Sequence, residues 1–127
     1  MKLLTHNFLS SRFLKNVNTG YPLKIGVTKT ECLSVDLDKD FLKNVLTKID
    51  YGVLWSAADS IGESNGLPQP DGPVILENVS EEQIMQLHKV LMCIDVLEGH
   101  LECPETGRVF PIREGIPNLL VNEDEVA

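Results

Sequence analysis

Hydrophobic and polar positions follow two periods along this chain, and the changes of period mark out its elements. Leu23, Ile25 and Val27 alternate with Lys24, Gly26 and Thr28, the repeat of a half-buried strand. A second short β run is expected over residues 32–35. Asp36 and Asp38 then offer helix caps, and Phe41, Leu42, Val45, Leu46 and Ile49 fall at helical spacing. After Asp50, Tyr51, Leu54, Trp55, Ala58 and Ile61 recur at intervals of three and four, which predicts a second helix ended by Gly62. Residues 62–77 hold Gly62, Gly66, Pro68, Pro70, Gly72 and Pro73 and are expected to be a connector. Ser80 with Gln83 is a capping box, and Ile84, Leu87, His88 and Leu91 form the stripe of a third helix. The β pattern resumes near Ile94, with a hairpin turn expected at Glu98-Gly99.

Both ends of the chain are less regular. Residues 1–14 mix Leu3, Leu4, Phe8, Leu9, Phe13 and Leu14 with polar residues, and some of these apolar side chains must pack on the fold. Residues 16–20 are polar and end in Gly20, a loop. The acidic tail, 123–127, is expected to fray. Near the C-terminus, residues 101–120, LECPETGRVFPIREGIPNLL, open with Cys103-Pro104 and turn at Thr106-Gly107. Two apolar runs follow, 108–112 and 116–121. The turn has the outline of a metal-binding CPxCG knuckle, with Thr106 where the second cysteine would stand. The fold class predicted is α+β. A small, zinc-ribbon-like antiparallel sheet is built from both chain ends (1–35 and 94–122), and a three-helix segment (36–93) is inserted between them.

Composition narrows the function. At 127 residues and 43% hydrophobic, the chain is an ordinary globular domain. No apolar run approaches the ~20 residues that span a bilayer. His6, Asn7 and Arg12 break up any signal-like N-terminus. Cys32, Cys93 and Cys103 are too few and too scattered for a disulfide framework, which fits a reducing compartment. The net charge of −8 conceals an asymmetry. Residues 1–30 hold five basic residues, Lys2, Arg12, Lys15, Lys24 and Lys29, and no acidic one; residues 49–127 hold three basic against fifteen acidic. A chain this acidic is a poor stand-alone binder of nucleic acid. The simplest role of the charge is solubility. The basic arm also suits the border of a partner's RNA channel.

Candidate chemistry is sparse. Structural zinc needs four thiolate or imidazole ligands. Cys103 lacks its pair, and His6, His88 and His100 are scattered, so no metal ligand set is expected. No nucleophile–base signature, Walker motif or GxGxxG is present, which argues against an enzyme. His88 and Trp55 sit on apolar stripes and are expected in the core. Cys32 and Cys93 are expected to fill core space, and Cys103 to be a small turn residue.

MKLLTHNFLSS at the start and CPETGRVFPIREGIPNLL at the end together resemble the eukaryotic multifunctional methyltransferase subunit family, the TRM-one-twelve activators. The resemblance covers essentially the whole chain and is that of a zinc-free, animal-type member. It implies a zinc-ribbon-like fold with a helical insertion and no activity of its own. The implied partners are class I methyltransferases acting on tRNA, small-subunit rRNA and a translation termination factor. S-adenosylmethionine would be bound by the partner, so no cofactor is expected here. RNA would be met only through the partner, and the location would be cytoplasmic and nuclear. Zinc-binding members carry one cysteine pair near the N-terminus and one in the CPxCG turn. Ser11 and Asn16 stand approximately at the first pair, and Thr106 at one cysteine of the second.

An activator of this kind would add a strand edge to the partner's sheet and cover an apolar patch. The residues expected to carry this are Phe8, Leu9, Val109, Phe110, Ile112, Ile116, Pro117, Asn118, Leu119 and Leu120. Phe110 and Leu120 are expected on the same sheet surface. Each apolar residue has internal packing as its alternative, and strand alternation turns only about half of them outward. A zinc-dependent binding module and a stand-alone RNA-binding protein remain the competing readings.

Overall fold

A computed structural model of the chain describes residues 1–72 and 74–126. Expectations that fall on Pro73 in the connector and Ala127 in the tail lie outside the described residues. The elements run α1 (Leu3–Phe8), β1 (Lys24–Cys32), α2 (Lys39–Lys48), α3 (Tyr51–Ser60), α4 (Glu81–His88), β2 (Ile94–Glu102), β3 (Val109–Arg113) and β4 (Ile116–Pro117). A wide π-type turn, Lys89–Cys93, joins α4 to β2. The four strands form one antiparallel sheet in the order β1-β2-β3-β4. This is the expected α+β arrangement, with a sheet drawn from both sides of a helical insertion.

The inserted helices follow their caps. The Asp38, Asp50 and Ser80 side chains accept from the N–H of Phe41, Val53 and Gln83, and Ser80 and Gln83 close the full box. Leu42, Val45, Leu54, Ala57, Ala58, Ile84, Leu87, Val90 and Leu91 then bury one cluster, with Trp55 packed at its edge. Phe41 is exposed instead, on the outer side of its helix. The connector is anchored rather than free. Leu67 is buried in the helical cluster, and the Tyr51 hydroxyl donates to the Pro68 carbonyl at 2.5 Å.

Several expectations are corrected by the sheet. The strand repeat at Leu23 does not end before Cys32: β1 runs unbroken to Cys32, and residues 33–35 lie outside it. Two irregularities hide this continuity in the sequence. Thr28 is skipped between Val27↔Gly99 and Lys29↔Glu98, and Leu97 is skipped between Glu98 and Val96. Each bulge resets the alternation of side chains. Glu98-Gly99 is no turn but the middle of β2. Gly99 is required by close approach: a Cβ there would stand 2.2 Å from the Gly26 carbonyl oxygen of β1.

Residues 3–8 form a helix that no apolar stripe announces, because two of its buried positions are polar. Asn7 donates to the Asp50 carbonyl at 2.8 Å and accepts from the Asp50 N–H at 2.9 Å. His6 Nε2 bonds the Leu23 carbonyl at 2.7 Å. A carbonyl only accepts, so Nε2 carries the proton. Burial holds the His6 pKa below its usual value, against an opposing pull from the Leu23 bond.

A second cluster lies on the sheet: Met1, Leu14, Leu23, Val96, Leu101, Cys103, Phe110 and Ile112. Leu9, Phe13, Leu119 and Val121 pack against it. The N-terminal segment spans both clusters, with Met1 in one and Leu3 in the other. The Met1 ammonium donates to Asp95 Oδ1 and to the Val96 and Gly115 carbonyls at 2.5, 2.8 and 2.7 Å. The tail does not fray over its described residues. Glu123–Glu125 form a 3-10 turn, Leu14 bridges Val126, and Arg108 pairs with Glu125 at 2.8 Å.

Candidate docking surface

β3 sorts the expected interface residues by strand alternation. Phe110 and Ile112 point inward and are 0% and 1% exposed, so the expectation that Phe110 shares an outer surface with Leu120 is corrected. Phe110 pairs with Leu101 across the sheet, packs against Phe13 with ring centroids 5.9 Å apart, and fills the centre of the sheet cluster. Val109, Pro111 and Arg113 take the other face, and Ile116 joins them by pairing with Arg113. Val109 is 44% exposed, Ile116 66% and Leu120 82%. These are costly exposures for large aliphatic side chains.

The segment after β4 is shaped by one asparagine. The Asn118 N–H donates to the Pro111 carbonyl at 2.9 Å, and its side-chain oxygen accepts from the Leu120 N–H at 3.0 Å. This Asx turn sends Leu119 back onto the sheet cluster and Leu120 into solvent. The result is an open groove of about 560 Å³ lined by Pro111, Arg113, Ile116, Pro117, Asn118, Leu119 and Leu120. Five of the ten expected residues therefore meet in one place. Phe8, 60% exposed at the end of α1, and Val109 lie outside the groove lining, and Leu9 packs on the sheet cluster. Pro111 and Arg113 were missed, although alternation about an inward Phe110 and Ile112 places both outward. β4 is an edge strand, the position from which a sheet can be extended.

The degenerate knuckle lies at the far end of β2 and β3. Gly107, at φ +78°, closes the turn, with its N–H donating to the Cys103 carbonyl at 3.0 Å. The Ser11 hydroxyl donates to Cys103 Sγ at 3.0 Å, so the position expected for a lost ligand does face Cys103. Asn16 does not; it sits exposed in the left-handed region at φ 65°. The Glu105 carboxylate accepts from the N–H groups of Asn18, Thr19 and Gly20 at 3.0, 3.1 and 2.7 Å. The two loops are thus joined by a hydroxyl–thiol bond and a carboxylate cradled by amides.

One thiol and neighbouring hydroxyls do not fit the four N/S ligands of structural zinc. Among the described residues no group of three or more His, Cys, Asp or Glu is placed to hold a metal. Burial works against a thiolate at Cys103. Bonds from Ser11 and Thr106 and from the Thr106 and Glu105 backbone outweigh it and hold the thiol below its usual value. Cys93 is buried as expected, but Cys32 is exposed at the end of β1, because the strand runs on to it. His88 packs in the interior with Nε2 on the Val35 carbonyl at 2.7 Å.

The family description "Trm112p-like protein" matches residues 2–115. The chain belongs to the Trm112p-like family. It is 45% identical over 120 residues to a multifunctional methyltransferase subunit TRM112-like protein of Caenorhabditis elegans, covering 94% of this chain and 95% of that protein. It is 41% identical over 128 residues to TRM112 homolog A of Arabidopsis thaliana, covering 99% and 100%. Among solved structures it is similar to a chain of the E. cuniculi Mtq2-Trm112 complex, described as responsible for methylation of the eRF1 translation termination factor. The TM-score is 0.60 at 24% identity, over 94% of this chain and 95% of that one. That likeness supports the Trm112 fold independently of the sequence matches.

Proposed function

We propose that this chain is a non-catalytic subunit that binds and stabilises class I S-adenosylmethionine-dependent methyltransferases. The observation that carries the proposal is the groove at the sheet edge. It places Ile116 and Leu120 in water beside an edge strand, on a chain whose relatives are named methyltransferase subunits. A monomer gains nothing from that exposure; a partner that covers it does. The edge of residues 116–121 would extend the partner's sheet, with backbone bonds for affinity and alternate side chains for selectivity. A stable complex would cover roughly 800 Å² on each partner. Binding only the folded partner raises its apparent stability by mass action. S-adenosylmethionine would belong to the partner.

The partners proposed are the methyltransferases of tRNA, of small-subunit rRNA and of a termination factor, in cytoplasm and nucleus. Co-expression with such a methyltransferase, followed by size exclusion, should give a one-to-one heterodimer whose catalytic subunit melts higher than alone. Independent elution of the two chains with an unchanged melting temperature would defeat the proposal.

A further inference from the structure

The loop of residues 11–20 carries Arg12 and Lys15, both exposed, and neither makes an ion pair among the described residues. Lys15 lines a groove of about 330 Å³ with Leu14, Thr106, Gly107, Arg108 and Glu125. The Arg108 guanidinium stands 5.1 Å from the centroid of the Phe110 ring, which is wholly buried. The arginine is therefore stacked on a fixed platform. Its Nη1 donates to the Val109 carbonyl at 2.6 Å, while Nε and Nη2 donate to the two carboxylate oxygens of Glu125 at 2.8 and 3.4 Å. A preset fork is presented to an anion, and the anion present is the chain's own tail.

The tail is seated by more than that pair. The Lys15 N–H donates to the Glu125 carbonyl at 2.7 Å, and Leu14 bridges Val126. Glu123 and Asp124 are exposed and unpaired among the described residues. Of the three successive acids Glu123, Asp124 and Glu125, Glu125 is thus the one held against this loop and Arg108.

We infer that Lys15 and Arg108 form a binding site for the phosphodiester backbone of RNA, with the exposed Arg12 on the same loop as Lys15, and that Glu125 fills this site in cis. The in-plane N–H groups of a guanidinium match a phosphate as well as a carboxylate. After Lys15 the loop exposes the polar side chains of Asn16, Asn18 and Thr19 and no large apolar one, while the amides of Asn18, Thr19 and Gly20 are held by the Glu105 carboxylate. Repeating phosphates satisfy such a surface without base reading. While Glu125 occupies the fork, the net charge of −8 keeps the closed chain a weak binder. None of the three cations lines the groove around Ile116 and Leu120, so the inference stands apart from the docking proposal.

The test uses the full chain with Glu123→Gln, Asp124→Asn and Glu125→Gln combined, its fold checked by circular dichroism. Fluorescence anisotropy would follow a labelled single-stranded RNA of roughly 20 nucleotides at about 50 and about 200 mM salt. The tail-neutralised chain should bind about tenfold tighter than the parent and lose about tenfold between the two salts. Adding Lys15→Glu, or Arg12→Glu should that variant misfold, should cancel the gain. Equal affinity of parent and tail-neutralised chains would overturn the inference, as would a gain that survives both reversals. Displacement by inorganic phosphate far below the matching ionic strength of chloride would reassign the site to free phosphate. Polyglutamate binding as tightly as RNA would reassign it to acidic peptides. Either result ends the RNA assignment.

Discussion

Around Leu54 and Leu87 the chain is closed by helices whose own stripes supply the packing, while around Leu101 and Phe110 an apolar cluster is gathered from distant segments that polar bonds also join. The Met1 ammonium reaches Asp95 and Gly115, Ser11 reaches Cys103, and Glu105 reaches the amides of residues 18–20. In the first region local sequence and tertiary packing agree. In the second, a turn shaped like a metal knuckle is held without a fitting metal ligand set. The difference shows that bonds between residues far apart in sequence join the two loops of this turn, with no metal ligand set placed there among the described residues.

The sharpest way to break this contrast is a charge placed inside the sheet cluster. Phe110→Asp would bury a carboxylate with no partner and leave a ring-sized void, so it should cost more than about 4 kcal/mol and unfold the isolated chain. Urea titration followed by circular dichroism checks this. A folded Phe110→Asp protein would mean that the sheet cluster is far looser than its burial implies.

A smaller effect separates the clamps from a metal. Glu105→Ala frees three backbone donors in the 11–20 loop, and it should lower the melting temperature and speed amide exchange at Asn18–Gly20. A chelator should leave the parent unchanged, because the knuckle does not hold a zinc ligand set. Chelator-induced melting with stoichiometric zinc release would invert the account.

His6 bears on the junction between the regions. Its folded pKa lies below the unfolded 6.5, so the unfolded chain binds the extra proton. Stability should be level above that value and fall as pH drops through it, by at most about 1.4 kcal/mol per pH unit until the folded pKa is reached. His6→Gln should remove this share of the slope, measured by urea unfolding from pH 7.5 down to 5. The smallest expected effect lies in the helical region. Ser80→Ala should cost about 1 kcal/mol through its lost cap, with no change at the sheet.

The same contrast decides how much was legible beforehand. The helices of the insertion were readable because Asp38, Asp50 and Ser80 cap stripes of period 3.6. The class and the strand-built ends were readable from alternation. What escaped were positions where a polar residue is buried or a register is reset. His6 and Asn7 disguise α1, Thr28 and Leu97 disguise the continuity of β1 and β2, and Gly99 resembles a turn while serving close strand approach. The docking residues were legible as a segment but not by face. Phe110 and Ile112 went inward, and only the Asn118 turn decides that Leu119 packs while Leu120 does not.

The central claim is that the outer edge around Ile116 and Leu120 docks a methyltransferase while the inner face of the same strands holds the fold. Leu120→Asp tests it most directly, since the residue is 82% exposed and the new charge sits in water until a partner covers it. Titration calorimetry of the variant against a methyltransferase that binds the parent chain, beside circular dichroism of the free variant, is the measurement. The account predicts a parent-like spectrum and melting temperature with affinity lowered at least about thirtyfold, the ~2 kcal/mol of a docking hot spot. A folded variant that binds at parental affinity would contradict it.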